Sequence, residues 1–424
     1  MSHFVEHHLG DFFRIKHGYA FKSAFFAKEG DYIVLTPGNF KEDGGLKSQG
    51  EKEKFYSAEP PQDFILHSGD LLTVMTDLTQ EARILGASAF IREDGRLLHN
   101  QRLGKVIDLD TNRLDKNYLY HLFNWGHVRD QLKGSATGST VRHTAPDRIY
   151  AVSVPIPPLP TQQRIASILS AYDDLIENNT RRIAILEEMA RRLYEKWFVH
   201  FRFPGHEEVE FEETERGAVP AGWAWVDLSE MYRTSAGGTP SRKRPEFFEG
   251  EVRWVKSKEL RDAPIFDTEE RITEAGLRGS SAKLFPRNSV LIAMYGATIG
   301  QLGVLQADAS TNQAICALLP SEGPHAWCYA YLSLLARRSE LIDLRAGAAQ
   351  QNVSQAIIKQ FPLLRADAPT HQAFEQAVEP TLNLAFILHK KNANLRAQRD
   401  LLLPKLVSGE IDVSEAENAM EAAE

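Results

Sequence analysis

The chain has 424 residues, 43% hydrophobic and 25% charged, with a net charge of -8; that is material for two or three separate cores and excludes a disordered chain. No apolar run approaches the roughly 18 residues of a membrane span, and residues 1–11 lack the basic end and apolar middle of a signal peptide, so a cytoplasmic location is expected. Cys316 and Cys328 have no partner pair, which speaks against both a zinc site and a disulfide framework.

In chain order, a globular half comes first, over residues 1–156, with short strands at 32–35, 70–74 and 105–107 and one helix at 116–131. Its loops include Gly18-Tyr19-Ala20-Phe21-Lys22-Ser23 and, after the central strand, Met75-Thr76-Asp77-Leu78-Thr79-Gln80-Glu81. Pro157-Pro158-Leu159-Pro160-Thr161-Gln162-Gln163 then opens a stretch without glycine or proline that lasts to about residue 201. Apolar residues recur there every three or four positions, at Ile165, Ile168/Leu169, Tyr172, Leu175/Ile176, Ile183, Leu186, Met189, Leu193 and Trp197, which is the pattern of a long coiled-coil helix. Thr161 is the expected N-cap and Phe203-Pro204-Gly205 the stop, giving a helical segment within 157–206. Asn179 falls in the seam, where a polar residue sets register, or else it faces solvent.

Glu207, Glu208, Glu210, Glu212, Glu213 and Glu215 follow, and 207–219 is expected to be a solvated linker. The second globular half, 220–366, has strands at 252–255, 289–293 and 314–317 and a helix at 327–344. Its Gly237-Gly238-Thr239-Pro240-Ser241-Arg242-Lys243-Arg244 stretch combines permissive glycines, hydroxyls and cations suited to phosphate, though such a run also serves as a plain solvated loop. Met294-Tyr295-Gly296-Ala297-Thr298 follows its central strand. A second helix, within 367–409, opens at Pro369-Thr370-His371-Gln372. Phe374, Thr381, Leu388, Leu395 and Leu402 fall seven apart in it, with Val378, Leu384, Ala385 and Leu406 at alternate positions. Residues 410–424 form an acidic tail with Glu410, Asp412, Glu415, Glu417, Glu421 and Glu424. Setting the two acidic clusters aside leaves 45 of the 57 acids against 49 bases, an excess of +4, so the overall sign does not oppose nucleic acid.

The two halves match. Leu9-Gly10-Asp11-Phe12 aligns with Leu228-Ser229-Glu230-Met231, Val74-Met75-Thr76 with Ala293-Met294-Tyr295, and Asn100-Gln101 with Asn312-Gln313. The expected fold is therefore α+β (mixed α/β): two similar globular domains and two long antiparallel helices in an internal pseudo-two-fold repeat. A helix of about forty residues spans ~60 Å, which suits a two-part site roughly one to one and a half DNA turns across. Motifs of chemistry are missing: no Walker loop, dinucleotide fingerprint or His-Glu-x-x-His, and no Asn/Asp-Pro-Pro-aromatic motif of amino-methyltransferases.

Over almost its whole length this pattern resembles the specificity subunit of type I DNA restriction-modification systems. The resemblance rests on Pro157-Pro158-Leu159-Pro160-Thr161-Gln162-Gln163-Arg164-Ile165-Ala166 leading to Asp173-Asp174-Leu175-Ile176-Glu177-Asn178-Asn179. Leu193-Tyr194-Glu195-Lys196-Trp197-Phe198-Val199 with Phe201-Arg202-Phe203-Pro204-Gly205 adds to it, as do Pro220-Ala221-Gly222-Trp223, the Gly237–Ser241 glycine stretch and residues 401–409. It implies two target-recognition domains, each reading half of a split asymmetric site in double-stranded DNA, and helices that dock two methyltransferase subunits. The residues expected at DNA are Tyr19, Lys22, Ser23, Thr76, Asp77, Thr79 and Gln80 in the first half. In the second they are Thr239, Ser241, Arg242, Lys243, Arg244, Lys256, Lys258, Tyr295 and Thr298. Those expected at the methyltransferase are Gln162, Gln163, Ile165, Asp173, Asn179, Tyr194, Trp197, Phe198, Leu401 and Leu402. The chain itself would be non-catalytic and hold no metal or cofactor. S-adenosylmethionine would sit on the adenine-methylating partners, ATP and magnesium on restriction (motor-nuclease) subunits, and no membrane would be involved. The second helix departs from the family pattern at His371 and at Ala373-Phe374. Two rival readings are a self-contained DNA-modifying enzyme and a scaffold that binds only protein.

Overall fold

The computed structural model describes residues 4–320, 326–344, 352–411 and 413. The run Leu71–Val74 carries apolar residues in both alternating phases, and the structure buries both. Because side chains alternate across a strand, Leu71 and Met75 enter a core shared with helices, while Leu72 and Val74 join Leu35, Phe40 and Leu66 on the other face. The strand Val290–Ala293 does the same: Val290, Ile292 and Met294 enter one core, and Leu291 and Ala293 join Val255 and Phe285 in another. Covered on both faces, each is the middle of its sheet.

The chain divides into two compact units, residues 1–176 with 394–424 and residues 177–393. In the first unit the main sheet runs Arg14–His17, Leu103–Ile107, Leu71–Val74, Ser88–Phe90, all antiparallel. In the second the order Thr234–Ala236, Ile315–Leu318, Val290–Ala293, Leu302–Leu305 repeats it, with Ala263–Ile265 added in parallel at the edge. Each unit has a further four-stranded sheet containing one parallel pair, Tyr32–Leu35 with Leu97–His99 and Phe248–Val255 with Ala309–Thr311. Each also pairs an early strand with a late one: Val5–His8 with Ser153–Ile156, and Ala224–Asp227 with Pro362–Arg365. The chain thus enters and leaves each globular half side by side.

The helix expected at 116–131 is two, Lys116–Asn124 and Gly126–Ser135, because Trp125 adopts extended dihedrals between them. The one expected at 327–344 is likewise split, into Trp327–Ala336 and Arg338–Asp343. The stretch expected to be a solvated linker forms a hairpin, Phe211–Thr214 with Gly217–Pro220, its glutamates exposed. Most of the acidic tail, including Asp412, Glu415, Glu417, Glu421 and Glu424, lies outside the described residues.

Both long helices form, Leu159–Tyr194 and Ala368–Val407. The first starts before its expected cap, with Thr161 inside it; Asp367 caps the second, accepting from the Thr370 amide at 2.9 Å. Within the second unit they run antiparallel, since Asn179 bonds Asn392 at 3.0 Å, Glu187 meets His389 at 3.2 Å and the Trp197 ring lies 5.6 Å from Phe374. Leu169, Ile176, Ile183, Ala190 and Trp197, seven apart, are all buried. Leu175, Met189 and Leu384 are 45%, 54% and 39% exposed, so these three leave the seam. The reason is that a 3.6-residue turn drifts from a strict heptad while each helix also packs on its own globular half; Leu382 and Phe386 are buried in their stead. A wider π turn at Glu195–Val199 ends the first helix and places consecutive Trp197 and Phe198 in one core.

Candidate nucleic-acid interface

At the end of each central strand stands a methionine whose backbone is bonded on both sides. The Met75 amide donates to the Arg102 carbonyl at 2.9 Å and its carbonyl accepts from the Thr144 amide at 2.9 Å; for Met294 the partners are Ala314 at 2.8 Å and Val353 at 2.7 Å. Three segments therefore converge in each unit: the loop after the methionine, the turn after Asn100 or Asn312, and the segment that contains Thr144 or Val353. The asparagines build the turns. Asn100 Oδ1 accepts from the Arg102 amide at 3.1 Å and Asn312 Oδ1 from the Ala314 amide at 3.2 Å. A glycine packs on each turn, and a Cβ on Gly18 would stand 2.1 Å from the Asn100 carbonyl oxygen, one on Gly237 2.5 Å from that of Asn312. Glycine is required by that close approach.

In the first unit the loop is built from below. Asp77, 1% exposed, accepts from the Thr79 amide, the Thr79 hydroxyl and the Ile84 amide, each at 2.8 Å. Arg129, buried, donates to the carbonyls of Leu85 at 2.6 Å, Glu42 at 2.9 Å and Arg83. Thr76, also buried, bonds His143 Nδ1 at 3.0 Å, and Thr76–Asp77 pairs with Arg142–His143. Thr76 and Asp77, expected at DNA, are thus corrected to foundations of the loop, since both are buried beneath it. Thr79 and Gln80 stand exposed above them. Ser139 and Thr140, exposed in the hairpin beside that loop, are missing from the sequence expectation; only the pairing of Thr76 with His143, 67 residues apart in sequence, reveals them.

The cations of the second unit are less free than the sequence implies. Arg242 stacks over Phe248 at 4.3 Å and pairs with Glu270 at 2.7 Å; Lys256 pairs with Glu270 at 2.7 Å and Glu269 at 3.1 Å; Lys258 pairs with Glu269 at 2.6 Å. Hydrogen bonding from Lys256 holds the Glu270 carboxyl below the usual range, so these acids stay charged. Lys256, expected at DNA, has 16% of its side chain exposed and is the centre of an ion-pair network instead. Arg244 pairs with Glu246 at 2.8 Å. Lys243, Lys22, Ser23 and Ser241 are exposed. Tyr19, Thr239, Tyr295 and Thr298 are half-buried around the converging segments, where Thr239 donates its hydroxyl to Gln313 Oε1.

The family model described as "Type I restriction modification DNA specificity domain" matches residues 1–188 and 220–364. The chain belongs to the type I restriction-modification DNA specificity family. It is similar to the type I restriction enzyme MjaIX specificity subunit of Methanocaldococcus jannaschii, 26% identical over 323 residues that cover 75% of this chain and 74% of that protein. It is also similar to the HindI specificity subunit of Haemophilus influenzae, 24% identical over 367 residues, covering 72% and 80%. In fold it is similar to the type I restriction-modification S subunit from M. genitalium, with a TM-score of 0.63 at 14% identity over 96% of each chain.

For this member of the specificity family, six of the ten expected partner contacts are buried within the chain. Gln162, 1% exposed, accepts from the Asp115 amide and donates to the carbonyls of Arg113 and Pro157, each at 2.9 Å. Ile165 sits in the first core and Tyr194, Trp197 and Phe198 in the second, while Asn179 is bonded to Asn392. Those six are corrected to structural positions: five mark where helix meets globular half, and Asn179 joins the two long helices. Asp173 is held by Arg399 at 2.6 Å and Leu402 packs against the first core. Gln163 and Leu401 are exposed, as are Leu175, Ile185, Met189 and Ile387 on the helices. Among the described residues no group of His, Cys, Asp and Glu is placed to hold a metal ion, and no helix is long and apolar enough to cross a membrane.

Proposed function

We propose that this chain is the DNA-reading subunit of a type I restriction-modification complex, each unit reading one half of a split, asymmetric duplex site. One observation carries the reading: the same strand-end platform, with its methionine, asparagine turn and glycine, occurs in both units and supports different loops. A shared frame with divergent polar loops suits two readers of different sequences. On this reading Thr79, Gln80, Ser139 and Thr140 in one unit and Tyr295 and Thr298 in the other approach base edges. Lys22, Ser23, Ser241 and Lys243 meet phosphates, with Arg242, Arg244 and Lys258 joining them by exchanging their carboxylate partners. The exposed apolar residues of the long helices, Leu175, Ile185, Met189, Ile387 and Leu401, supply the docking surface for two methyltransferase subunits. Chemistry belongs to those partners, which use S-adenosylmethionine, and to restriction subunits using ATP and magnesium.

The test is the methylation pattern written on genomic DNA by the complex reconstituted in a host with no other methylase. The expected result is a split motif with a fixed gap. Replacing residues 78–83 by a Gly-Ser loop of equal length is expected to relax one half of that motif and leave the other intact. A single continuous target, or equal change in both halves, would overturn the proposal.

A further inference from the structure

Gln101 and Gln313 occupy the same place in the two units, and their side chains make none of the bonds that close the turns or tie them to the methionines. Every other repeated residue of the platform has an internal task. Met75 and Met294 carry the strand-end backbone bonds and fill cores, Asn100 and Asn312 close the turns, and Gly18 and Gly237 allow the close approach. Leu9 and Leu228 are both fully buried. Both glutamines, by contrast, are exposed. The Gln101 side chain makes no hydrogen bond among the described residues, and in Gln313 the side-chain oxygen accepts from Thr239 while its NH2 group has no bond among the described residues. Each glutamine stands one residue before the carbonyl that ties its turn to the methionine at the start of the base-reading loop, Arg102 to Met75 and Ala314 to Met294.

We infer that Gln101 and Gln313 are a matched pair of contacts to the sugar-phosphate chain, one per half-site, that hold the duplex in the same register in both units while the adjoining loops read different bases. The inference rests on the proposed DNA-reading role. Two halves of an asymmetric site differ in base sequence, so a residue kept in the same position in both units suits what the halves share, which is the backbone. A side-chain amide donates to phosphate or sugar oxygens without adding charge, and that neutrality gives the contact a recognisable signature.

The experiment uses the complex reconstituted with its methyltransferase subunits and two duplexes of equal length, one with the methylated motif and one without, across a series of salt concentrations. Gln101→Ala and Gln313→Ala are each expected to weaken both duplexes by the same factor, roughly 3- to 10-fold, with the double variant multiplying the two. The slope of affinity against salt should stay as in the unaltered complex, because no cation is removed, and the methylated motif should not change. Gln101→Glu, which turns an acceptor-only charge on the phosphate, should lose more than the alanine variant. Relaxation at one base position would make the glutamine a base reader and overturn the inference, as would affinities unchanged for both duplexes. If the unaltered complex binds neither duplex in a salt-dependent manner, the DNA-reading proposal itself fails.

Discussion

The two units attach their long helices to the same fold by opposite chemistry. In the first, the Arg399 side chain is only 9% exposed and reaches Asp173 on the first helix at 2.6 Å, Asp43 in a globular loop at 3.1 Å and its neighbour Asp400 at 2.9 Å. Aligning Thr161 with Thr370 sets Asp173 against Leu382 and Arg399 against Ala190, and both of those counterparts are buried in the second unit's apolar core. Around them the Phe374 ring lies 4.9 Å from Phe198 and 5.6 Å from Trp197. The helix Lys116–Asn124 is capped by its own Asp115, whereas Trp327–Ala336 is capped from the long helix, by Glu375 accepting from the Cys328 amide at 3.2 Å and the Tyr329 amide at 2.9 Å. A repeat thus preserves shape while the buried contacts diverge. A geometry-demanding ion cluster serves in one place where packing serves in the other.

The comparison is broken most severely at Arg399. Arg399→Ala leaves Asp173 buried without its cation and is expected to destabilise the first unit by about 3–5 kcal/mol. Hydrogen exchange should rise across residues 165–172 and the loop at 40–46 while the second unit keeps its protection; equal change in both would refute the assignment of the clamp to one unit. Next in size is Glu375. Burial pushes its carboxyl up to about 7, against two N–H bonds that favour the charge, from an ordinary value of 4.5. Between pH 4.5 and 7 the folded state then binds more protons than the unfolded chain, so stability falls as pH rises through that window and is level above it. Glu375→Gln should abolish this slope and leave the second unit more stable than the parent by ~3 kcal/mol at pH 8 but not at pH 4.5, read from the thermal midpoint. An undiminished slope would mean another group is responsible. The smallest effect concerns the cations. Lys243→Ala should lower the salt slope of DNA binding by about 1 and weaken all sequences alike, while Arg242→Ala, whose charge is already matched by Glu270, should do so by less. A changed recognition motif in either variant would refute the phosphate role.

Much of this was legible in the chain, because the signals are local or repeated. The Pro-rich openings, the three-and-four spacing and the paired Asn-Gln turns suffice to read two halves and two helices. What was misread concerns burial. Trp197, Phe198, Tyr194 and Ile165 belong to a motif that stands out in sequence, and they stand out because they are core residues. Thr76 and Asp77 carry the polar groups of a reading loop, yet they satisfy its backbone from beneath. Arg242, Lys256 and Lys258 look like a basic patch until Glu269 and Glu270, more than ten residues on, fold back onto them.

By itself the sequence determined the duplication, the central strands and the two long helices, since these follow from backbone preferences and from periodicity within a few residues. Only the tertiary structure decided which polar groups face solvent and which serve the fold, because that depends on partners brought together from distant parts of the chain. An Asp that caps a loop and an Asp that meets a ligand are written with the same letter, and burial alone separates them.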